Sequence, residues 1–107
     1  MVILDVEASG TDNRIHSIVS IGAVDFDNPE RQLYDECRIW DGAHVMDEAL
    51  EVCGFSKEEI IDPSKKSEAE LYDGFVEFAL NTEDHTLAGQ NPSFDRDYLH
   101  AAALRAV

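Results

Sequence analysis

Short apolar segments separated by turn residues fill the first half of the chain. Val2–Val6 is apolar and β-branched and ends at the polar cluster Ser9–Asn13, which predicts a buried strand followed by a turn. Ile15–Phe26 predicts a second, longer strand that ends at an Asn-Pro turn signal. Leu33–Trp40 alternates apolar and polar residues well enough for a third strand. Three strands joined by short turns indicate an antiparallel meander.

The second half changes to a helical period. Asp47–Val52 predicts a short helix, which Gly54 closes. Ser56 followed three residues later by Glu59 has the pattern of a capping box and predicts a further helical turn. From Ser67 to about Leu80, apolar residues recur at three- and four-residue steps, which is typical of an amphipathic helix.

The last segment returns to a strand and then a helix. Thr86–Gly89 predicts a brief apolar strand, and Pro92 lies in the first turn of a helix that continues to the end of the chain. The order of elements predicts an α/β domain. We expect a mixed sheet, with the three antiparallel strands joined by a last strand parallel to the first, and helices beside it.

Composition limits the class of protein. A chain of 107 residues suits one domain, and 44% hydrophobic with 29% charged residues argues against disorder. No apolar run approaches the ~18–20 residues of a membrane span, and no signal peptide is visible. Cys37 and Cys53 cannot form a disulfide framework. We therefore expect a cytoplasmic protein with no membrane partner.

The charge is strongly negative. The chain has 23 acidic and 8 basic side chains, a formal net charge of −15. Such a surface repels phosphate backbones and by itself argues against nucleic-acid partners.

Asp5 and Glu7 are the first candidates for chemistry. They are two positions apart on the first predicted strand, so their side chains project from the same face. Neighbouring carboxylates repel each other unless a cation or proton separates them, and hard oxygen ligands suit Mg²⁺ or Mn²⁺. Two solvated acids at a strand end explain the pair equally well.

Asp95 is the third candidate. It follows the last predicted strand in the first turn of a helix, where open α/β sheets place ligand sites. A carboxylate that only complements the helix dipole would occupy the same position, and Asn91 suits a helix N-cap.

Taken together, these features resemble the DEDD 3′–5′ exonuclease superfamily, within it the branch of ribonuclease T and the proofreading subunit of bacterial DNA polymerase. The resemblance extends over essentially all of the chain. Its sharpest elements are the Asp-x-Glu strand and the Asn-x-x-Phe-Asp helix start. It is carried in order by four segments: Asp5–Gly10, Ile21–Val24, Ala49–Ser56 and Asn91–Asp95.

The resemblance implies a ribonuclease-H-like fold and metal-dependent hydrolysis of phosphodiester bonds at the 3′ end of single-stranded DNA or RNA. It implies two Mg²⁺ or Mn²⁺ ions, with Asp5 bridging them. Glu7 would complete one shell and Asp95 would hold the second ion, partly through water. Two cations about 3.5–4 Å apart can activate a water and stabilise the leaving oxygen.

The resemblance also implies a pocket for the 3′-terminal nucleotide. Gly10 would let the ligand approach the backbone closely, although an ordinary turn glycine explains it as well. The superfamily has Thr where this chain has Ala8, while Ser9 retains a hydroxyl. The expected substrate-binding residues are Ala8, Ser9, Gly10, Asn91 and Phe94.

The third motif of the superfamily has no match. That motif pairs a general-base His with an acid five residues later, or Tyr with Asp four residues later. At those spacings the four His are followed by Ile21, Ala49, Gln90 and Arg105, and the three Tyr by Arg38, Val76 and Ala102. We therefore expect residues 1–107 to form one exonuclease-like domain that is truncated at its C-terminus. It would lack the final strand and helix, and its own activity is open.

Two other interpretations stay open. A non-catalytic module of the same fold would bind a nucleic-acid end or a protein partner without cleaving it. A small acidic or cation-binding domain is the third, although Asp25–Pro29 lacks the glycine and distant Glu of an EF-hand. A homodimer is also open, because some members of the superfamily are dimers. Bound divalent ions would offset the charge locally, so −15 suits a site that grips only a chain end.

Overall fold

The structure, a computed structural model, describes residues 1–107 as four strands and four helices. The strands are β1 (Val2–Ala8), β2 (Ile18–Asp25), β3 (Gln32–Glu36) and β4 (Leu87–Ala88). The helices are α1 (Asp47–Cys53), α2 (Lys57–Ile60), α3 (Glu68–Leu80) and α4 (Pro92–Arg105). No helix has both the length and the apolar composition needed to span a bilayer.

The four strands form one mixed sheet in the order β3-β2-β1-β4. β1 and β2 are antiparallel, as are β2 and β3, whereas β4 pairs with β1 in parallel. The predicted meander with an added parallel strand is therefore confirmed. β4 is short, and its pairing joins only Val2 with Leu87 and Ile3 with Ala88.

Successive side chains of β1 point to opposite faces of the sheet. The core face carries Val2, Leu4, Val6 and Ala8, which are all buried. α3 and α4 cover this face with apolar side chains: Leu71, Phe75, Tyr98, Leu99 and Ala102. The opposite face carries Ile3, Asp5 and Glu7, which are exposed or partly exposed. The alternation that a strand imposes thus turns both acidic side chains of β1 away from the core.

β2 begins later than the sequence predicted. The N–H groups of Ile15 and His16 both donate to the carbonyl of Asp12, so these residues belong to the turn. β2 starts at Ile18, where Ala8 supplies its first paired residue beside an irregularity in the ladder. The apolar character of Ile15 is therefore not a strand signal.

β3 ends earlier than predicted. The N–H of Cys37 still donates to the carbonyl of Val19 on β2, but the N–H of Arg38 donates to the carbonyl of Lys66, just before α3. The alternating pattern up to Trp40 continues through a segment that packs against other parts of the protein. It does not extend the strand.

Two capping boxes stabilise helix starts. Ser56 and Glu59 form the predicted box at α2, and Ser67 and Glu70 form a second one at α3 that was not predicted. Each satisfies backbone N–H groups that a helix start leaves without a partner. Gly54 follows α1 with φ of 81°, the left-handed conformation that glycine adopts without strain.

A buried ion pair joins the C-terminal end of α4 to the start of α3. Glu68 is 4% exposed, and Arg105 contacts its carboxylate through two nitrogens at 2.8 Å each. The same carboxylate accepts from the N–H of Ile18 and the hydroxyl of Ser17. This cluster holds α4 in a defined position against the sheet, which matters because α4 carries Asp95.

Candidate functional site

Asp95 reaches β1 from the first turn of α4. It is buried, and its Oδ1 atom accepts a hydrogen bond from the backbone N–H of Val6 at 3.2 Å. Val6 lies between Asp5 and Glu7 on β1. The structure therefore brings together the three carboxylates that the sequence singled out.

The three carboxylates influence one another's protonation. Desolvation is the main cause that raises the pKa of Glu7, and the negative charges of Asp5 and Asp95 raise it further. Desolvation also raises the pKa of Asp95; the hydrogen bond from Val6 opposes this, and the charge of Asp5 adds to it. Carboxylates that hold their protons more strongly for this reason are stabilised in their charged form when a cation enters.

The donor set fits a hard divalent cation only in part. All three groups offer oxygen ligands, which Mg²⁺ and Mn²⁺ prefer. Yet no group of three or more His, Cys, Asp or Glu side chains is arranged to close around a metal ion. Asp5 is exposed, whereas Asp95 is buried. Such a set suits a cation that keeps several of its waters, as Mg²⁺ does when one or two carboxylates bind it.

Gly89 makes the approach of Asp95 to β1 sterically possible. A Cβ atom at this position would lie 2.7 Å from the carbonyl oxygen of Leu4 and 2.8 Å from Oδ2 of Asp95. Either contact is closer than non-bonded atoms tolerate, so a larger residue would displace the carboxylate. Sequence reasoning did not assign Gly89 a role. The available signal was a glycine between the last strand and the helix that carries the acid.

The hydroxyl of Ser9 is used inside the protein. It donates to the carbonyl of His44 at 2.8 Å and accepts from the N–H of Ser17 at 2.9 Å, and the residue is fully buried. Ala8 is buried as well. The backbone N–H and C=O of Ser9 are also paired within the chain, so Ser9 offers no free polar group to a ligand in this structure. A contact of Ala8 or Ser9 with a substrate stays a prediction.

Gly10 is required by packing and not by its backbone angles. It has no positive φ, but its Cα lies so close to the imidazole of His16 that any Cβ would overlap the ring. On the other side, the hydroxyl of Tyr98 donates to the Gly10 carbonyl. Burial is the main cause that raises the pKa of Tyr98 to about 12, so this hydroxyl keeps its proton at neutral pH.

Asn91 and Phe94 both serve the start of α4. The side chain of Asn91 accepts from the N–H of Phe94 at 3.4 Å as the helix N-cap. The Phe94 ring packs against Tyr98, with ring centroids 4.7 Å apart. A contact of either residue with a substrate stays a prediction.

An open groove of about 550 Å³ lies beside Asp5 on the exposed face of the sheet. Gly22, which pairs with Asp5 across the β1–β2 ladder, leaves empty space where a side chain would stand. The groove is lined by both apolar and polar residues, among them Ile3, Asp5, Gly22, Val24, Gln32 and Gln90. Of the three acids, Asp5 borders this groove, which is wide enough for a ligand.

Comparisons with known proteins find similarity in three-dimensional structure. No protein-family model matches the chain, and no curated protein matches it in sequence. Exonuclease I from Methylocaldum szegediense superposes with a TM-score of 0.82 at 21% identity, covering 98% of this chain and 23% of that one. E. coli exonuclease I in complex with a dT13 oligonucleotide gives 0.79 at 19%, covering 98% and 23%. A zinc-bound complex of the E. coli enzyme with single-stranded DNA gives 0.79 at 18%, with the same coverage.

This similarity shows the fold. The α/β sheet and its helices have the ribonuclease-H-like architecture of the exonucleases, and the chain spans about a quarter of the length of the exonuclease I structures. The predicted fold class is therefore confirmed.

Proposed function

We propose that the chain is the metal-binding part of a 3′–5′ exonuclease that hydrolyses phosphodiester bonds at the 3′ end of single-stranded DNA or RNA. The observation that carries the proposal is the hydrogen bond from Val6 to Asp95, which brings Asp95 beside Asp5 and Glu7. The structural similarity to exonuclease I, which includes complexes with single-stranded DNA, supports it. Membership of the ribonuclease T and proofreading-subunit branch stays a prediction.

In this proposal Asp5, Glu7 and Asp95 hold two Mg²⁺ or Mn²⁺ ions. When bound, such ions supply an activated water and stabilise the leaving 3′ oxygen. The protein contributes orientation: the N–H of Val6 fixes one oxygen of Asp95 and leaves the other free. The three carboxylates repel one another, and a bound cation relieves this repulsion, which favours cation binding at the site.

The charge of the chain is compatible with this function. At a net −15, the surface as a whole repels a phosphate backbone. Divalent ions held by three of the acids restore positive charge at the one place where a phosphate must lie. The protein would therefore bind the end of a nucleic-acid strand and make few contacts with the rest of its phosphate backbone.

The test is a cleavage assay with oligonucleotides labelled at the 5′ end, offered as single-stranded DNA and as RNA in the presence of Mn²⁺. Stepwise shortening from the 3′ end, abolished by a chelator, supports the proposal. Asp95→Asn should lose the activity, whereas Asp97→Asn, an exposed acid on the same helix, should keep it. The assay uses the full-length protein, and absence of cleavage of either nucleic acid by it contradicts the enzymatic function.

A non-catalytic module that binds a nucleic-acid end is the second candidate. It is favoured by one feature of these 107 residues: no His has an acid five residues after it, so no general base of the expected kind is present. Metal-dependent binding of an oligonucleotide without any shortening would support this candidate over the enzyme.

A further inference from the structure

α4 is attached to β1 and the loop after it at two points. Asp95 accepts from the N–H of Val6, and Tyr98, three residues later on the same face of α4, donates to the carbonyl of Gly10. The first contact positions a carboxylate, and the second positions the peptide that joins Gly10 to Thr11. One helix thus sets the distance between the acidic cluster and the loop.

The loop around Gly10 is held from several sides but has two unused donors. The N–H of Ser9 donates to the carbonyl of Ser17, and the carbonyl of Ser9 accepts from the N–H of Met46. The N–H groups of Gly10 and Thr11, by contrast, donate to no acceptor in the chain. Thr11 is exposed, so its N–H is accessible to a ligand, whereas Gly10 is buried.

The hydroxyl of Tyr98 controls the orientation of one of these donors. A trans peptide is planar, so its N–H points opposite to its C=O. Fixing the carbonyl of Gly10 therefore fixes the N–H of Thr11 on the side away from Tyr98. A carbonyl that accepts a hydrogen bond also polarises its peptide and makes the N–H a stronger donor.

We propose that Tyr98 is a positioning residue, whose hydroxyl holds the Gly10–Thr11 peptide so that the N–H of Thr11 donates to an oxygen of the 3′-terminal nucleotide of a single strand. The inference rests on the proposed function of the carboxylate site. It adds that metal binding and nucleotide binding are separable, because Tyr98 contacts the loop and not the acids.

The test compares Tyr98→Phe, which removes only the hydroxyl, with Tyr72→Phe as a matched control. Tyr72 packs partly buried against the same core, and its hydroxyl makes no hydrogen bond within the chain. Two affinities are measured on the full chain: that for Mn²⁺, by calorimetry, and that for a fluorescein-labelled single-stranded oligonucleotide with a non-hydrolysable 3′ linkage, by anisotropy.

We expect Tyr98→Phe to bind Mn²⁺ within about twofold of wild type and the oligonucleotide about 3- to 10-fold more weakly, the effect of one lost hydrogen bond. Tyr72→Phe should match the wild type in both. Equal oligonucleotide affinity in wild type and Tyr98→Phe overturns the inference, and so does a parallel loss of both affinities.

A measurement on the wild-type chain removes the dependence on a variant that folds. The amide signal of Thr11 in nitrogen–proton NMR spectra should shift when the oligonucleotide is added in the presence of Mg²⁺, which is diamagnetic, and should not shift with Mg²⁺ alone. An unshifted Thr11 amide in a complex that forms overturns the inference while the proposed function stands. A wild-type chain that binds Mn²⁺ but no oligonucleotide overturns both.

Discussion

The carboxylate of Asp95 accepts a hydrogen bond from the backbone N–H of Val6, a residue 89 positions earlier in the chain. Val6 separates the two acids of β1, so this bond adds a third negative group to Asp5 and Glu7. Bringing carboxylates together without a cation raises the free energy of the folded state. The carboxylate cluster therefore lowers the stability of the metal-free protein and raises its affinity for cations.

Asp5→Asn should stabilise the metal-free chain and weaken its binding of Mn²⁺. Burial is the main cause that raises the pKa of Glu7 and Asp95, and the variant removes the Asp5 charge that raises both further. We expect the melting temperature in chelator to rise by about 2–5 °C. The added stability on Mn²⁺ binding should be smaller than for wild type. Scanning calorimetry with and without Mn²⁺ measures both changes in stability. In a separate titration, Mn²⁺ binding isotherms of the variant that cannot be distinguished from those of wild type would contradict metal binding at this site.

The affinity of the site for Mn²⁺ should change with pH at pH values higher than those at which ordinary carboxylates titrate. Because the pKa values of Glu7 and Asp95 are raised in the folded state, protons compete with Mn²⁺ at a higher pH than the usual values near 4. In the metal-free chain the folded state binds more protons than the unfolded state in this range. These two groups therefore favour folding as pH falls through their raised pKa values, and this contribution is lost as pH rises.

Mn²⁺ titrations at pH 5 and pH 7 measure this dependence, with weaker binding and greater proton release expected at pH 5. An affinity that does not change between the two would show that neither Glu7 nor Asp95 is a ligand.

Gly89→Ala should destabilise the protein and disturb the site. The new methyl group would meet the carbonyl of Leu4 and the carboxylate of Asp95, and overpacking of this kind costs about 1–3 kcal/mol. Gly22→Ala is the matched control, because its Cβ would have no neighbour within 4 Å. Urea unfolding gives the free energies, and Mn²⁺ titration gives the effect on the site. Equal stability of the two variants would show that β4 shifts without cost.

Arg105→Met should cost about 3 kcal/mol of unfolding free energy, because it leaves the carboxylate of Glu68 buried without its cation. Arg96→Met, which removes an exposed partner of Asp97 on the same helix, should leave the unfolding free energy unchanged. Chemical denaturation of both variants measures the difference. If both variants lost the same unfolding free energy, the ion pair between Arg105 and Glu68 would contribute nothing beyond the packing of α4.

Much of the fold could be predicted because its signals are local. The strand β1, the helices α3 and α4 and the capping box of α2 depend on side chains within one or two turns of each other. The ends of β2 and β3 could not be placed from such signals. Apolar residues such as Ile15 and Trp40 continue the pattern beyond the ladder, and hydrogen bonds to distant segments decide where pairing stops.

The sequence by itself determined which acids are available and on which elements they lie: Asp5 and Glu7 on one face of a strand, and Asp95 at a helix start. Only the tertiary structure decided what those elements contact. It joined Asp95 to Val6 and Tyr98 to Gly10, and it turned the hydroxyl of Ser9 inward. The reason is physical: periodicity and capping are fixed by near neighbours along the chain, whereas these contacts depend on how the buried faces of α4 and the sheet fit together.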